Sequence, residues 1–513
     1  MSTADSTPAQ MKPSNDWTVF LPALLAVVLL GGGLIAYPEQ GTQLTTLAMD
    51  FVTGQIGWLY LTLGVVALGF AGWLAFGPYG NVLLGPEGEP PEYGELHWIA
   101  MMFTAGIGGS MIAWGVAEPL SYLQTPPFGI TPHSPEALEW AHVYPIFHWG
   151  IIPWAFYAIP AVPVTYMLYI KRAPMMKVSG ACESALPLAK HPIGSRLIDV
   201  IIALGIVGGT ATSLGLGVPL VSAILAELLG VVDDFTSKMT VLVLWTVIFG
   251  ASAYRGLKKG IKVLADINMA LAFAALLFVL FFGPTLFILK LTVNSGGLLI
   301  DNFVRMALWT DPISQSGFPE AWTIFYWAWW IAFAPFVGLF LGRISRGRTI
   351  RQIILGIIGW GTLGTATFLS IIGGYAIYLA QADTLPVEEI LAQAGMAAVT
   401  VQAINHLPGG QLALIIFLFL CIIFYATTLD SAAYTIASVC SKNLPNDQEP
   451  PRASRVVWAF ALALLAVGLI ATDRIKIVQA STVVFSLPLL PVLVLMCISL
   501  VKWLRMDFGK TDR

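Results

Sequence analysis

The sequence predicts an all-α polytopic membrane protein with twelve transmembrane helices. Of its 513 residues, 57% are apolar and only 11% are charged, whereas soluble proteins carry about a quarter charged residues. Stretches near the roughly 20 apolar residues that span a bilayer recur along the chain. They lie near 17–36, 56–78, 97–118, 141–170, 197–228, 237–254, 264–289, 320–342, 350–380, 410–440, 453–471 and 476–503.

The distribution of lysine and arginine predicts that both termini lie in the cytoplasm. With that orientation, 21 of the 26 basic residues fall on the inner side, as expected for cytoplasmic loops. The polar N-terminus lacks the charged region and cleavage site of a secretory signal, so the first apolar segment is expected to remain as a helix. A net charge of −3 without a basic patch argues against a nucleic-acid partner. The four cysteines show neither metal-ligand spacing nor a CxxC motif.

The segments between the spans differ in character. Residues 79–96 are rich in Gly, Pro and Glu and form an acidic inner loop, whereas residues 381–408 form an outer loop with a short helix predicted at 386–396. An amphipathic piece within 291–319 predicts an outer interfacial helix. The resulting division is a tail (1–16), two peripheral helices with the inner loop (17–96), a first repeat (97–290), the interfacial helix (291–319), a second repeat (320–503) and a short tail (504–513).

The third and eighth predicted helices each contain residues that weaken a helix. Helix three reads Gly106-Ile-Gly108-Gly109-Ser110, and helix eight carries Pro335 to Gly338. Interrupted helices at matching places in two halves indicate a transporter built from inverted repeats, with its site at the breaks. Helices three to seven and eight to twelve would then form a five-plus-five core. Close packing of helices through small residues is the alternative explanation of the glycines.

An aromatic run lies within helix eight, where Trp327, Trp329, Trp330 and Phe333 precede Pro335. Aromatic faces attract cations that have no carboxylate partner, above all quaternary ammonium groups. The run therefore predicts one wall of a site for such a ligand. An interfacial tryptophan belt or packing between helices would explain the same residues.

Helix four carries further aromatic residues that could complete this site. Trp154 and Tyr157 are three residues apart and share a helix face. Trp149 lies at a different angle unless Pro153 bends the helix. Together with Trp330, these side chains could surround a trimethylammonium group. His148 has no neighbouring ligand or triad partner in the sequence, which favours a satisfied or interfacial histidine over a catalytic one.

Helix ten contains the neighbouring hydroxyls of Thr427 and Thr428. Such hydroxyls usually bond to carbonyls of the preceding turn, but they also suit sodium where an unwound helix, here Gly106 to Ser110, frees carbonyl oxygens. Ionisable residues in membrane segments are functional candidates, so Asp430 is one, and Glu118 and Glu183 are weaker ones.

Several stretches resemble, in the same order, the signature of the betaine/choline/carnitine transporter (BCCT) family. They are WGVAEPL (114–120), HWGIIPWAFY (148–157), GTATSLGLG (209–217), WAWWIAFAPFVG (327–338) with the following GRISRGRTIR, and ATTLDSA (426–432). The resemblance implies a LeuT-like inverted-repeat fold, secondary transport of quaternary ammonium compounds, a homotrimer and a bacterial inner membrane as its location.

The resemblance also implies roles for individual residues. The substrate site would contain Trp149, Trp154, Tyr157 and Trp330 as an aromatic box, with Trp329, Phe333, Gly108 and Ser110 beside it. The main sodium site would use backbone oxygens of Thr104, Ile107 and Phe424 and the hydroxyls of Thr427 and Thr428. A second sodium site would use Thr210 and Phe336, but Ile206 replaces one of its threonines.

Departures from the family pattern refine this expectation. Choline-type members place an aspartate where Ser110 stands, so a betaine-like zwitterion is favoured here. Sodium-independent carnitine exchangers lack the paired hydroxyls of helix ten and carry methionine at the position of Val337, so sodium coupling is expected. The alternative is a sodium-independent exchanger or a proton-coupled carrier of choline or carnitine. We expect membrane lipid, the onium substrate and sodium as partners, with no other cofactor, and no enzyme activity.

Overall fold

The computed structural model describes residues 13–86, 88–105, 109–173, 175, 177–255, 258–445, 448–471 and 475–509, and it is predominantly helical. Helices suit a bilayer because they satisfy their own backbone hydrogen bonds. The helices are α1 (Trp17–Ala36), α2 (Pro38–Phe51), α3 (Gly57–Phe76), α4 (Glu95–Ala105), α5 (Gly109–Gln124), α6 (Pro135–His148), α7 (Ile151–Tyr169), α8 (Pro187–Lys190), α9 (Pro192–Leu229), α10 (Phe235–Arg255), α11 (Lys258–Phe282), α12 (Thr285–Leu308), α13 (Ile324–Ile344), α14 (Ile350–Leu355), α15 (Gly361–Gln381), α16 (Val387–Asn405), α17 (Gly410–Val439), α18 (Arg452–Ala471), α19 (Ile475–Ser486) and α20 (Leu489–Phe508).

The all-α, multi-span fold predicted from the sequence is confirmed, but the count of twelve spans is not. Within the described ranges, ten helical stretches are long and apolar enough to cross a bilayer. An eleventh arises if α11 and α12, which meet at an angle of 105°, count as one span. The remaining predicted span, 97–118, covers α4 and α5, and its central residues 106–108 lie outside the described part of the chain.

A helix covers part of each of the two segments between the spans for which the sequence predicted one. Helix α12 begins at Thr285, ahead of the 291–319 segment, and turns sharply away from α11. It is attached to α6 and α15 by His142, whose ring bonds the Ser295 hydroxyl at 2.7 Å and the Ser370 carbonyl at 3.1 Å. Helix α16 has a kink at the non-helical residue Gly395, so its first part agrees with the helix predicted at 386–396 and a second helical part follows the kink.

Helix α13 corrects the prediction of a break between Pro335 and Gly338. The helix is continuous from Ile324 to Ile344 with Pro335 inside it, as neighbouring helices allow in membrane proteins. Gly338 instead permits close packing, since a Cβ there would lie 2.5 Å from the ring of Pro160 on α7. The alternative explanation, close approach of helices through small residues, therefore holds for this glycine.

Short strand pairs and arginines fasten the loops at one end of the bundle. Strand β1 (Ser14–Asn15) pairs with β4 (Ser441–Lys442), and β2 (Leu83–Leu84) pairs with β3 (Arg348–Thr349). The Arg346 guanidinium forms a bidentate ion pair with Glu89, with a shortest distance of 2.7 Å. These contacts hold the acidic loop against the arginine-rich segment that follows α13.

The innermost helices of the bundle are α6, α7 and α13. In an 18-residue segment within Pro135–Tyr169, 94% of the residues are buried, and in such a segment within Pro319–Ile344 the value is 83%, compared with 33% within α1. Lipid therefore surrounds the outer helices, while α7 and α13 face other protein segments. Side chains on these two helices occupy the centre of the molecule.

Candidate functional site: a buried aromatic cluster

The site lies where α7 and α13 pack side by side. Their approach is close because two glycines on α13 face α7: a Cβ at Gly338 would meet Pro160, and one at Gly342 would lie 3.0 Å from the Val164 side chain. Small residues at such contacts let helix backbones approach each other. The aromatic residues one to three turns away on the two helices are thereby brought into contact.

Trp330 of α13 is the centre of the aromatic cluster. Its ring centroid lies 5.6 Å from that of Trp149, 5.6 Å from that of Trp154 and 4.6 Å from that of Tyr157. Trp154 and Tyr157 meet almost at right angles, with an interplanar angle of 87°. Rings that meet at steep angles form the corners of a box and can turn their faces to a common ligand.

Trp149 joins the cluster because the helical segment is interrupted beside it. Helix α6 ends at His148 and α7 begins at Ile151, so Trp149 and Gly150 separate the two helices. The change of direction that Trp149 needs is therefore supplied at Trp149 and Gly150 and not by a bend at Pro153. Pro153 lies in the first turn of α7, where proline is tolerated, and the break gives Trp149 the angle it needs to reach Trp330.

Neighbouring helices fix the walls of the box. The ring of Trp154 lies against Gly361, where a Cβ would come within 2.3 Å of the ring. The Trp154 indole N–H and the Thr365 hydroxyl are 3.4 Å apart, and that hydroxyl donates to the Trp149 carbonyl at 2.6 Å. Helix α15 therefore holds two of the four rings in position.

Trp329 and Phe333 extend the cluster towards α9. The Trp329 ring lies 5.8 Å from that of Trp149, and its indole N–H donates to the Gly209 carbonyl at 3.4 Å. Phe333 packs over the same glycine, where a Cβ would meet its ring at 2.9 Å. Both residues lie beside the box, on the α9 side of α13.

The four box rings are enclosed by protein. Their exposed fractions lie between 0% and 7%, so the rings face neither lipid nor water. A desolvated cation–π contact contributes about 2 kcal/mol or more. Several ring faces turned to one ligand could therefore stabilise a cation that brings no counter-charge into the membrane.

A buried carboxylate lies directly behind Trp149, in a network that sequence reasoning did not find. Glu118 of α5 is fully buried, and its Oε2 accepts hydrogen bonds from the Trp149 indole at 3.0 Å and from the Tyr326 hydroxyl at 2.8 Å. Its Oε1 accepts from Tyr122 at 2.6 Å and lies 3.2 Å from Nδ1 of His148. A carboxylate within an apolar span was the available signal, but its partners are scattered along the sequence.

The other ionisable candidates differ in their surroundings. His148 is satisfied, as expected, because Tyr122, Glu118 and Thr323 all lie within hydrogen-bonding distance of its ring nitrogens. Asp430 is partly buried on α17, whereas Glu183 is exposed and follows a short 3₁₀ turn outside the spans. Glu183 is therefore not an intramembrane carboxylate.

The residues predicted to bind sodium are only partly described. The Thr427 hydroxyl donates to the carbonyls of Ile423 and Phe424, each at 3.0 Å, which is the local bonding expected of a helical threonine. Two predicted ligands, Thr427 Oγ1 and the Phe424 carbonyl oxygen, are thus neighbours. Ile107 and Gly108 lie outside the described residues, as does the side chain of Thr104.

The structure describes both residues of the predicted second sodium site, Thr210 and Phe336. The Thr210 hydroxyl is buried and donates to the carbonyl of Ile206, one turn earlier, at 2.7 Å. The Ile206 side chain supplies no oxygen. Phe336 lies with its ring 6.2 Å from that of Phe333, so it borders the aromatic cluster.

Fold and site together define a multi-pass membrane protein with a closed aromatic cluster at its centre. Comparison with known proteins identifies it further: the chain belongs to the BCCT family of betaine/carnitine/choline family transporters, whose family model matches residues 18–509. It is therefore a transporter of the carnitine, betaine and choline type rather than an enzyme.

Two relatives align over most of their length. A carnitine transporter of Acinetobacter baumannii is 32% identical over 497 residues, covering 97% of this chain and 90% of that protein. An uncharacterized transporter of Escherichia coli strain K12, YeaV, is 34% identical over 446 residues, covering 87% of this chain and 92% of that protein. Both similarities extend far beyond the aromatic cluster.

Proposed function

We propose that this protein is a sodium-coupled symporter that imports a betaine-like zwitterion carrying a quaternary ammonium group. The observation that supports this proposal best is the buried cluster of Trp149, Trp154, Tyr157 and Trp330 between the two central helices. A quaternary nitrogen carries no proton that it could lose, so it remains charged inside the membrane. Aromatic faces replace its hydration without forming a salt bridge that would prevent release.

A zwitterion fits the surroundings of the cluster better than a simple cation. The sequence predicts a helix interruption at Gly106 to Ser110, of which residues 106–108 lie outside the described part of the chain. The N-terminus of a helix is the positive end of its dipole and favours anions, and interrupted transporter helices present such ends to anionic substrate groups. If the predicted interruption is present, the substrate carboxylate would lie at the N-terminus of the helix that follows it, and the ammonium group would lie between the rings. The carnitine named for the Acinetobacter relative is also a trimethylammonium zwitterion.

Sodium would bind between the interruption that the sequence predicts at Gly106 to Ser110 and α17. Thr427 Oγ1 and the Phe424 carbonyl oxygen, 3.0 Å apart, are spaced as neighbouring ligands of one cation. A bound sodium would hold the interrupted helix in the conformation that accepts substrate. Because linkage is reciprocal, substrate would strengthen sodium binding by the same factor. A homotrimer with cytoplasmic termini in the inner membrane completes the proposal.

A proton-coupled carrier or a sodium-independent exchanger of choline or carnitine is the second candidate. The observation that favours proton coupling is the buried pair of Glu118 and His148, 3.2 Å apart at their closest, since ionisable residues inside membranes often belong to proton relays.

Uptake into proteoliposomes separates these functions. Radiolabelled glycine betaine, carnitine and choline would be offered with an inward sodium gradient, with a proton gradient alone, and with unlabelled substrate preloaded inside. We expect accumulation of a zwitterion that requires the sodium gradient. Uptake that follows the proton gradient, or only exchange with preloaded substrate, would support the second candidate, and transport of none of these compounds would refute the substrate class.

The aromatic site is tested by Trp330→Leu. Leucine preserves an apolar helix but removes the ring that contacts the three other walls, so uptake should fall below about one tenth of the wild-type rate, in line with the loss of a contact of about 2 kcal/mol. Trp58→Leu is the matched control, because the Trp58 side chain is 58% exposed on the outside of α3. Full uptake by a folded Trp330→Leu variant would reject the aromatic site.

A further inference from the structure

The buried carboxylate of Glu118 is surrounded by hydrogen-bond donors. Tyr122 donates to Oε1, while Trp149 and Tyr326 donate to Oε2. Both carboxylate oxygens therefore act as hydrogen-bond acceptors. The side chain is fully buried in the molecule, so these bonds replace the water that an exposed carboxylate would bind.

A neutral His148 accounts for every contact of its ring. With the proton on Nδ1, the ring can donate to the Tyr122 oxygen at 2.7 Å and lies 3.2 Å from Oε1 of Glu118. Nε2 then accepts from the Thr323 hydroxyl at 3.0 Å. Since an imidazole has one donor and one acceptor in its neutral form, this arrangement leaves the carboxylate charge uncompensated.

No basic side chain neutralises that charge within the described part of the chain. The ion-pair partner of Glu118 there is His148, and neither a lysine nor an arginine forms a salt bridge with it. A buried negative charge without a paired cation is costly. The Glu118 carboxylate lies behind Trp149, which is one wall of the aromatic box, and the proposed function places a permanent cation in that box.

We propose that Glu118 is the counter-charge of the transported ammonium group and the positioning residue of Trp149. The inference rests on the proposed function of the aromatic box. The bond from the indole N–H to Oε2 fixes the ring of Trp149 and draws positive charge away from the ring face that meets the substrate. The carboxylate also attracts the ammonium directly through the low-dielectric interior.

Two ligands of the same shape test this inference. Glycine betaine and 3,3-dimethylbutanoate share a carboxylate and differ only in nitrogen against carbon at the branched centre. Their affinities for purified protein in sodium would be measured by calorimetry or tryptophan fluorescence. The ratio of the two affinities reports the ammonium charge, because contributions from shape and from the shared carboxylate cancel.

Glu118→Gln keeps the size of the side chain and removes its charge. We expect the preference for glycine betaine over its carbon isostere to fall about tenfold, as for unit charges roughly 10 Å apart at an effective dielectric constant near 20. Tyr326→Phe is the control, since it removes one hydrogen bond to Oε2 of Glu118 but leaves the charge. The preference of this variant for glycine betaine over the carbon isostere should remain within about threefold of the wild-type value.

The remaining outcomes are distinct. An unchanged preference in a folded Glu118→Gln protein, with or without an equal loss for both ligands, would reduce Glu118 to a structural role and overturn the inference. If the glutamine variant does not fold, Glu118→Asp is the substitute, because it retains the charge. This variant should keep the preference for glycine betaine over its carbon isostere even if both affinities fall. Loss of that preference in Glu118→Asp would overturn the inference. Failure of the wild type to bind any onium compound would refute the proposed function itself.

Discussion

Gly361 offers the sharpest structural test of the box, because it supports the ring of Trp154 from behind. A Cβ at this position would lie 2.3 Å from the Trp154 ring, whereas ordinary van der Waals contact begins at 3.4 Å. In Gly361→Ala the ring or the helix must therefore move by about 1 Å. Overpacking of this kind costs about 1–3 kcal/mol, and the ring cannot withdraw without leaving its contacts with Trp330 and Tyr157.

The displacement should weaken substrate binding. If one wall of the box loses its contact with the ammonium group, about 2 kcal/mol of binding free energy disappears, which corresponds to a roughly 30-fold higher Kd. Calorimetric titration of the purified variant with the transported compound measures this change. Its thermal unfolding temperature should also fall.

A matched control lies two residues earlier. Gly359 is exposed, and a Cβ there would meet no atom within 4 Å, so Gly359→Ala should bind like the wild type. Replacement of glycine by alanine in a helix is otherwise favourable by about 1 kcal/mol, so any loss in Gly361→Ala comes from the contact with the ring. A folded Gly361→Ala protein with wild-type affinity would refute the assignment of Trp154 to the binding wall.

Two further predictions concern coupling and the attachment of α12. Replacing Thr427 and Thr428 together by alanine should raise the sodium concentration needed for half-maximal uptake by about tenfold or more, by analogy with the loss of hydrogen bonds to a charged group; an unchanged sodium titration would count against these ligands. Ser295→Ala removes the hydroxyl bonded to His142 and should cost about 1–3 kcal/mol because a buried polar group loses its partner. Thermal unfolding measures this loss, with Thr292→Ala as the control, since the Thr292 hydroxyl bonds within its own helix; equal midpoints for the two variants would show that the contact does not hold α12.

Local patterns predicted much of the fold. Span length, apolar composition and the three-residue spacing of Trp154 and Tyr157 depend on neighbours in the chain, and the structure contains the corresponding helices and the contact between these rings. The proximity of Trp330 to both residues agrees with the arrangement that the family resemblance implied. Whether the rings bind an onium compound stays a prediction.

The sequence did not predict those features of the helices that depend on contacts between distant segments of the chain. Pro335 suggests an interrupted helix, yet α13 continues because its neighbours support it, and Gly338 is small because Pro160 lies against it. The break beside Trp149 occurs before Pro153, at Gly150, whose backbone is not helical. Such details depend on the packing of α7 against α13 and α15.

The hydrogen-bond network around Glu118 could not be predicted from the sequence for the same reason. Its partners Tyr122 and Tyr326 are 4 and 208 residues away in the sequence, and a single carboxylate in an apolar helix does not reveal them. Only the fold shows that four polar groups converge on one carboxylate beside the box. The sequence therefore indicated the aromatic walls but not the charge behind them.

A structure of the protein with bound glycine betaine or carnitine, determined by cryo-electron microscopy in the presence of sodium, tests the central claim most directly. The account predicts that the quaternary nitrogen lies within about 6 Å of the ring centroids of Trp149, Trp154, Tyr157 and Trp330. Substrate bound elsewhere, with these four rings still packed against one another, would contradict it.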